Sequence, residues 1–155
     1  MSDVRACTGD FYLYLSSEDN KDVFTENQAH NFHCIIEEGV TLEGKWEVAV
    51  TDYYFYPDSN MRNLNLPRPL YLLANFVKSS YTPICNGPVL KRIYIDEENK
   101  FQGISLSKTI FIPEYHSVSV TSLSLLRLYI ADNHFHPIQL PHGVLAVTLH
   151  FRPKE

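Results

Sequence analysis

The residues with most capacity for chemistry are seven histidines, three of which crowd the stretch NHFHPIQLPHG. His134 and His136 stand two apart, so in extended chain both project from one face. His142 follows shortly. A His-x-His pair joined by a distant His or Glu is how small cupin-type barrels hold iron or zinc. Such a site needs three or four convergent donors, and the glutamate expected a few residues after His136 is absent. His134, His136 and His142 are therefore weak metal candidates, and a histidine-bearing loop is the plainer reading. His30 and His33 are three apart, a spacing that suits neither face of a strand; one surface and one packed histidine fit it.

Covalent catalysis finds little footing. No GxSxG elbow occurs. His33 and Cys34 are adjacent, so a strand would send them to opposite faces. Cys85 sits in the turn TPICNGP and reads as packed or idle rather than reactive. The pairs Glu37-Glu38 and Glu97-Glu98 read as solvated turn residues. No Gly-rich loop offers a phosphate cradle. The expectation is a protein that is not an enzyme and takes no cofactor. The aromatic run Tyr53, Tyr54, Phe55 and Tyr56 is more telling. Alternation sends two of these rings to each face, so some lie outside the core; an aromatic outer face either marks a protein contact or is covered by the loop that follows.

Such residues need a scaffold, and composition indicates its type. The chain has 155 residues, 45% apolar and 20% charged, which fits a folded domain rather than disorder. A chain this long buries roughly two-thirds of its unfolded surface and needs no disulfide or metal to hold a core. Aromatics reach 13% and Pro numbers nine against six Gly, a mix that suits rigid turns between extended segments. The formal charge of −5, with Lys91-Arg92 and Arg152/Lys154 as the only close basic groupings, argues against nucleic-acid binding. Cys7, Cys34 and Cys85 are odd in number and widely spaced, so a disulfide framework is a poor fit and a reducing compartment is expected. The opening MSDVRACTGDF lacks an apolar signal region, and no run approaches the roughly 18 apolar residues of a membrane span. Ser2 stands where myristoylation needs Gly.

Extended segments recur along the chain. The pattern predicts strands at Phe11 to Leu15, Asn31 to Ile36, Lys45 to Phe55, Leu70 to Val77, Val89 to Ile95, Ser105 to Ile112, Leu123 to Ala131 and Val144 to Phe151. In the third, Trp46, Val48 and Val50 alternate with Glu47, Ala49 and Thr51. The fourth is nearly all apolar, as a strand buried on both faces would be. In the seventh, Leu123, Leu125, Arg127 and Tyr129 share one side, flanked by Leu126, Leu128 and Ile130. Helix evidence is confined to a turn somewhere in Glu18 to Phe32. Eight short strands with Pro, Gly and polar punctuation predict an all-β, two-sheet sandwich or barrel.

Several segments, in order, resemble a known family. FYLYLSS (11–17), FTENQAHNF (24–32), LEGKWEVAV (42–50), LYLLANFVKSSYTPICNGPVLKRIYI (70–95) and SLSLLRLYIADNHFHPIQLPHGVLAVTLHFR (122–152) are similar to the penton-like minor capsid proteins of Polinton/Maverick elements and adinto-like viruses. The closest match is the ending, with Gly143 and Leu149-His150-Phe151-Arg152. The segment between Phe55 and Leu70 is shorter than the family's usual insertion.

The resemblance implies one eight-stranded single jelly roll over residues 1–155, made of two antiparallel sheets. It implies a virion protein that assembles with itself, as a pentamer, and with a major capsid protein. The chain would be made in the host cytoplasm or nucleus and not be secreted. Four longer connections, Ser16 to Gln28, Pro57 to Pro69, Asp96 to Gly103 and Asp132 to His142, would gather at one end. Candidate inter-subunit contacts are Tyr54, Tyr56, Arg62, Asn65, Arg68, Phe135 and Arg152, with Phe151 in the core. The rival readings are a ligand- or carbohydrate-binding β-sandwich, lined by the 57–69 and 132–142 loops, and a metal-dependent cupin-like enzyme.

Overall fold

A computed structural model describes residues 5–7, 9–56, 70–81, 84, 86–93, 106–110, 112–138 and 143–154. Every element among the described residues is a strand; no helix long and apolar enough to cross a membrane occurs among them. The strands are β1 (Arg5–Cys7), β2 (Phe11–Ser16), β3 (Asn31–Leu42), β4 (Trp46–Tyr56), β5 (Leu70–Ala74), β6 (Ser80–Tyr81), β7 (Asn86–Gly87), β8 (Val89–Ile93), β9 (Leu106–Thr109), β10 (His116–Ser117), β11 (Ser122–Ala131) and β12 (Val144–Pro153).

One sheet runs β1-β3-β11-β5-β8 and the other β10-β4-β12-β2, with β9 also on β4. All pairings are antiparallel except β1, which lies parallel to β3. Each predicted strand has a counterpart here. β9 and β10 line one edge of β4 as two pieces of a single broken strand, joined around Pro113, which has no N–H for the ladder. From β2 onward the chain switches sheets at every main connection but the one from β5 to β8, which is the winding of a jelly roll.

Alternation explains the core. From β12, Leu145, Val147, Leu149 and Phe151 point inward, while Ala146, Thr148, His150 and Arg152 point out. Phe151 stacks on Phe11, with ring centroids 5.0 Å apart, and meets Phe76 from the turn after β5. Each such fully buried side chain stabilises the fold by about 1.5–3 kcal/mol relative to exposure. All five residues of β5 are buried, as expected of a strand covered on both faces. Leu70, Leu72 and Ala74 enter the main core. Tyr71 and Leu73 face the other way into a smaller cluster with Val89, Ala131 and Phe135.

Two bulges shift the inward phase. On β4, Val50 faces Leu149 and Asp52 faces Thr148, so Thr51 is left over between them. Trp46, Val48 and Val50 are core before it; Tyr53 and Phe55 are core after it, and Tyr54 is turned out. On β3, Ile36 to Gly39 bow away opposite Ser124, with Glu38 and Gly39 both in the left-handed region at φ 67° and 66°. The sequence pattern ended this strand at Ile36; it resumes after the bulge and runs to Leu42. The bulge also moves Leu123 into the core with Leu126, Leu128 and Ile130, whereas simple alternation grouped it with the exposed Leu125.

The predicted strand 70–77 stops at Ala74. There Asn75 turns and clamps β11, its Oδ1 accepting from Arg127 N at 3.0 Å and its Nδ2 donating to Leu125 O at 3.2 Å. The helical turn expected after Glu18 is one turn around Asn20, whose carbonyl accepts from Val23 N and Phe24 N. Buried Asn27 fastens this loop to β3 through both its side-chain atoms, at 2.8 Å each to His33 N and O. Of the four connections expected at one end, Pro57 to Pro69 and Asp96 to Gly103 lie outside the described residues. The 17–30 loop is tied to the ends of β11 and β12: Ile130 N donates to His30 O, and Leu145 N donates to Ser17 Oγ.

Candidate functional site

The histidine loop that follows β11 is a capped turn. Asp132 Oδ1 accepts the backbone N–H of His134 and of His136, both at 2.9 Å. This holds Phe135 at φ 62° and sets the two imidazoles 5.9 Å apart. The rings lie side by side through a turn rather than through extended chain. His136 Nδ1 is 3.9 Å from Asp132 Oδ2, and His142 lies outside the described residues. No three His, Cys, Asp or Glu side chains converge as a metal site among the described residues.

Cys34 is buried in β3, where burial first, and then Asp19, push its thiol up to about 11. A thiol so placed is protonated at neutral pH and poorly nucleophilic. His33 emerges on the opposite face and stacks on Phe24; burial, then the Arg127 charge, lowers its pKa. Glu37 and Glu38 are exposed on the β3 bulge. Cys85 and the Glu97-Glu98 pair lie outside the described residues.

Among the described residues a polar network covers the outer face of the β10-β4-β12-β2 sheet, where outward side chains of β2, β4 and β12 converge. Register puts Tyr12 beside His150, Thr148 between Tyr14 and Asp52, and Arg152 beside Glu47. His150 stands at the centre. Its Nε2 lies 2.9 Å from Asp10 Oδ2, its Nδ1 lies 2.7 Å from the Tyr115 hydroxyl, and Tyr12 stacks on its ring. Arg152 Nε donates to Glu47 Oε1 at 2.7 Å, and its guanidinium lies 3.4 Å above the centre of the Tyr115 ring. The carboxylate holds the Arg152 charge and raises its pKa. Beyond this network lies a shallow hollow of about 280 Å³ between Tyr14 and Tyr54, floored by Thr148, whose hydroxyl donates to Asp52 at 2.6 Å. Tyr14 is 74% exposed and Tyr12 53%. The face thus offers aromatic rings and paired charges to a broad contact.

The candidate contact residues separate. Tyr54 and Arg152 share this face, and Tyr56 ends β4 opposite Val144. Arg62, Asn65 and Arg68 lie outside the described residues. Phe135 sits on the opposite sheet, its ring edge-on to Tyr71 with centroids 5.3 Å apart. Sequence reasoning did not single out Asp10, Tyr115 or Glu47. Their partnership with His150 and Arg152 depends on sheet register, and the only local signal was the outward phase of His150 and Arg152.

No protein-family model matches the sequence, and no curated protein matches it. The fold does have a counterpart. The crystal structure of selenomethionine-labelled mavirus penton protein superposes with a TM-score of 0.62 at 10% identity, covering 92% of this chain and 99% of that one. What the two share at that identity is the path of the backbone. Two sheets wound in jelly-roll order, superposing on that protein along nearly the whole of both chains, give this chain a penton-like single jelly-roll fold.

Proposed function

We propose that the chain is a structural virion protein: a penton-like minor capsid protein of a Polinton/Maverick-like or adinto-like element, forming a pentameric ring at capsid vertices. The observation that carries this reading is the jelly-roll winding shared with the mavirus penton protein over 92% and 99% of the two chains. In it the 155 residues act as one domain with no catalytic step. Its partners are copies of itself and a major capsid protein, and its place is the virion, after synthesis in the host cytoplasm or nucleus.

The physical logic supports it. A ring of identical subunits needs a rigid body presenting two different faces, because head-to-tail contacts close by rotation. Jelly-roll connections supply loops at both ends of such a body. On this reading Tyr54, Tyr56 and Arg152, with Arg62, Asn65 and Arg68 of the 57–69 segment, meet neighbouring subunits. Phe135, on the other sheet, is a further candidate contact.

Light scattering on the purified protein tests the reading, with metal content measured on the same sample. The expected result is a metal-free particle of five times the 17.9 kDa chain mass. Tyr54→Ala combined with Arg152→Ala is expected to shift that particle to monomer without unfolding it. A chain that stays monomeric at high concentration, and also when mixed with the major capsid protein, would overturn the proposal.

A further inference from the structure

Strand β8 ends one sheet and β10 ends the other, and residues of both line one pocket. The pocket measures about 330 Å³ and is walled by Tyr71, Tyr81, Lys91, Arg92, Glu114 and His116. The ribbon β6–β7 contributes Tyr81 and so closes one flank. Its volume is at the lower end of the roughly 300–1,000 Å³ range of small-molecule sites, enough for one sugar ring.

The charges in this pocket are unbalanced. Among the described lining residues, Lys91 and Arg92 bring two cations against the single carboxylate of Glu114. His116 Nε2 is buried and has no hydrogen-bond partner among the described residues, although a buried polar nitrogen without one costs free energy. The nearest candidate, Glu114 Oε1, is 3.9 Å away, too far to bond. The Glu114 side chain is 59% exposed while that of His116 is only 14% exposed. Glu114 therefore covers the imidazole without satisfying it, and as an exposed side chain it is free to swing aside. The chain's own carboxylate thus stands near His116 without bonding it, in a pocket that Lys91 and Arg92 also line.

We propose that this pocket binds a small organic carboxylate the size of a single acidic sugar, which displaces Glu114 and pairs with His116, Lys91 and Arg92. Tyr71 and Tyr81 supply the aromatic surface on which a sugar ring packs. The proposal does not depend on the capsid reading.

The test is a titration of the isotopically labelled full chain with glucuronate, followed by amide chemical shifts, with glucose and inorganic phosphate as parallel probes. Saturable shifts on β8 and β10 with glucuronate, and none with glucose, are expected. Glu114→Gln is expected to tighten binding several-fold by removing the competing charge. The double variant Lys91→Ala/Arg92→Ala is expected to weaken it at least tenfold while its remaining amide peaks stay in place. Shifts elsewhere, no saturation, equal response to glucose, tighter binding of phosphate, or weaker binding by Glu114→Gln would each overturn the proposal. A protein that binds glucuronate here yet stays monomeric at high concentration and in the presence of the major capsid protein would defeat the vertex reading and leave this one standing.

Discussion

Single residues set how stability responds to pH. The Cys34 thiol is raised from an ordinary 9.0 to about 11. Above pH 9 the unfolded chain releases a proton that the folded chain keeps, so stability falls as pH climbs from 9 towards 11. Burial lowers the imidazoles of His33 and His116 below 6.5. Below pH 6.5 the unfolded chain gains protons that the folded chain refuses, so stability also falls as pH drops through that value. Urea unfolding at fixed pH values should show a plateau between about 6.5 and 9, and Cys34→Ala should flatten the alkaline arm. Gly87 offers a second probe. A Cβ there would lie 2.6 Å from Phe135 Cδ2 and 3.2 Å from Leu73 Cδ2. Gly87→Ala should cost about 1–3 kcal/mol, and less when combined with Phe135→Ala, because the smaller side chain relieves the clash. The outward phase of His150 and Arg152 was legible in the sequence. Their partners Asp10, Tyr115 and Glu47 were not, because a contact across 140 residues of chain, such as His150 to Asp10, leaves no local trace.

At the scale of elements, all eight extended segments could be read from alternation and turn residues, because period-two burial is a local property. Their phase was harder. Thr51 belongs to a stretch that alternates smoothly in sequence, yet the ladder skips it. Only the pairing with β12 reveals the extra residue, as only the pairing with β11 reveals the bow at Glu38 and Gly39. Deleting Thr51 makes this measurable. The deletion would restore strict alternation and turn either Tyr53 and Phe55, or Trp46, Val48 and Val50, out to solvent. The expected outcome is loss of the cooperative urea transition, whereas Thr51→Ala should cost only about 1 kcal/mol for its hydrogen bond to Thr148 O. The β9–β10 break shows the converse case, in which Pro113 marked the interruption openly but gave no hint that the edge strand resumes beyond it.

For the whole molecule, the order of strands in each sheet decides more than the strands themselves. β12 lies between β4 and β2, and β11 lies between β3 and β5. A chain ended after Gly143 would leave β2 and β4 with no ladder between them. Its near-ultraviolet circular dichroism is expected to be that of an unfolded or collapsed state, although the missing residues are few. The same arrangement has a consequence during protein synthesis. Ribosomes deliver residues in chain order, at roughly 5–20 per second, and the central strand of each sheet emerges after the strands it joins. For several seconds the nascent chain carries strands such as β2, β3 and β4 whose central partner is not yet made, and their open edges invite pairing with neighbouring nascent copies. The fold closes only when β11 and then β12 slot between strands already waiting, so its yield in a cell should depend on whatever shields those edges during translation.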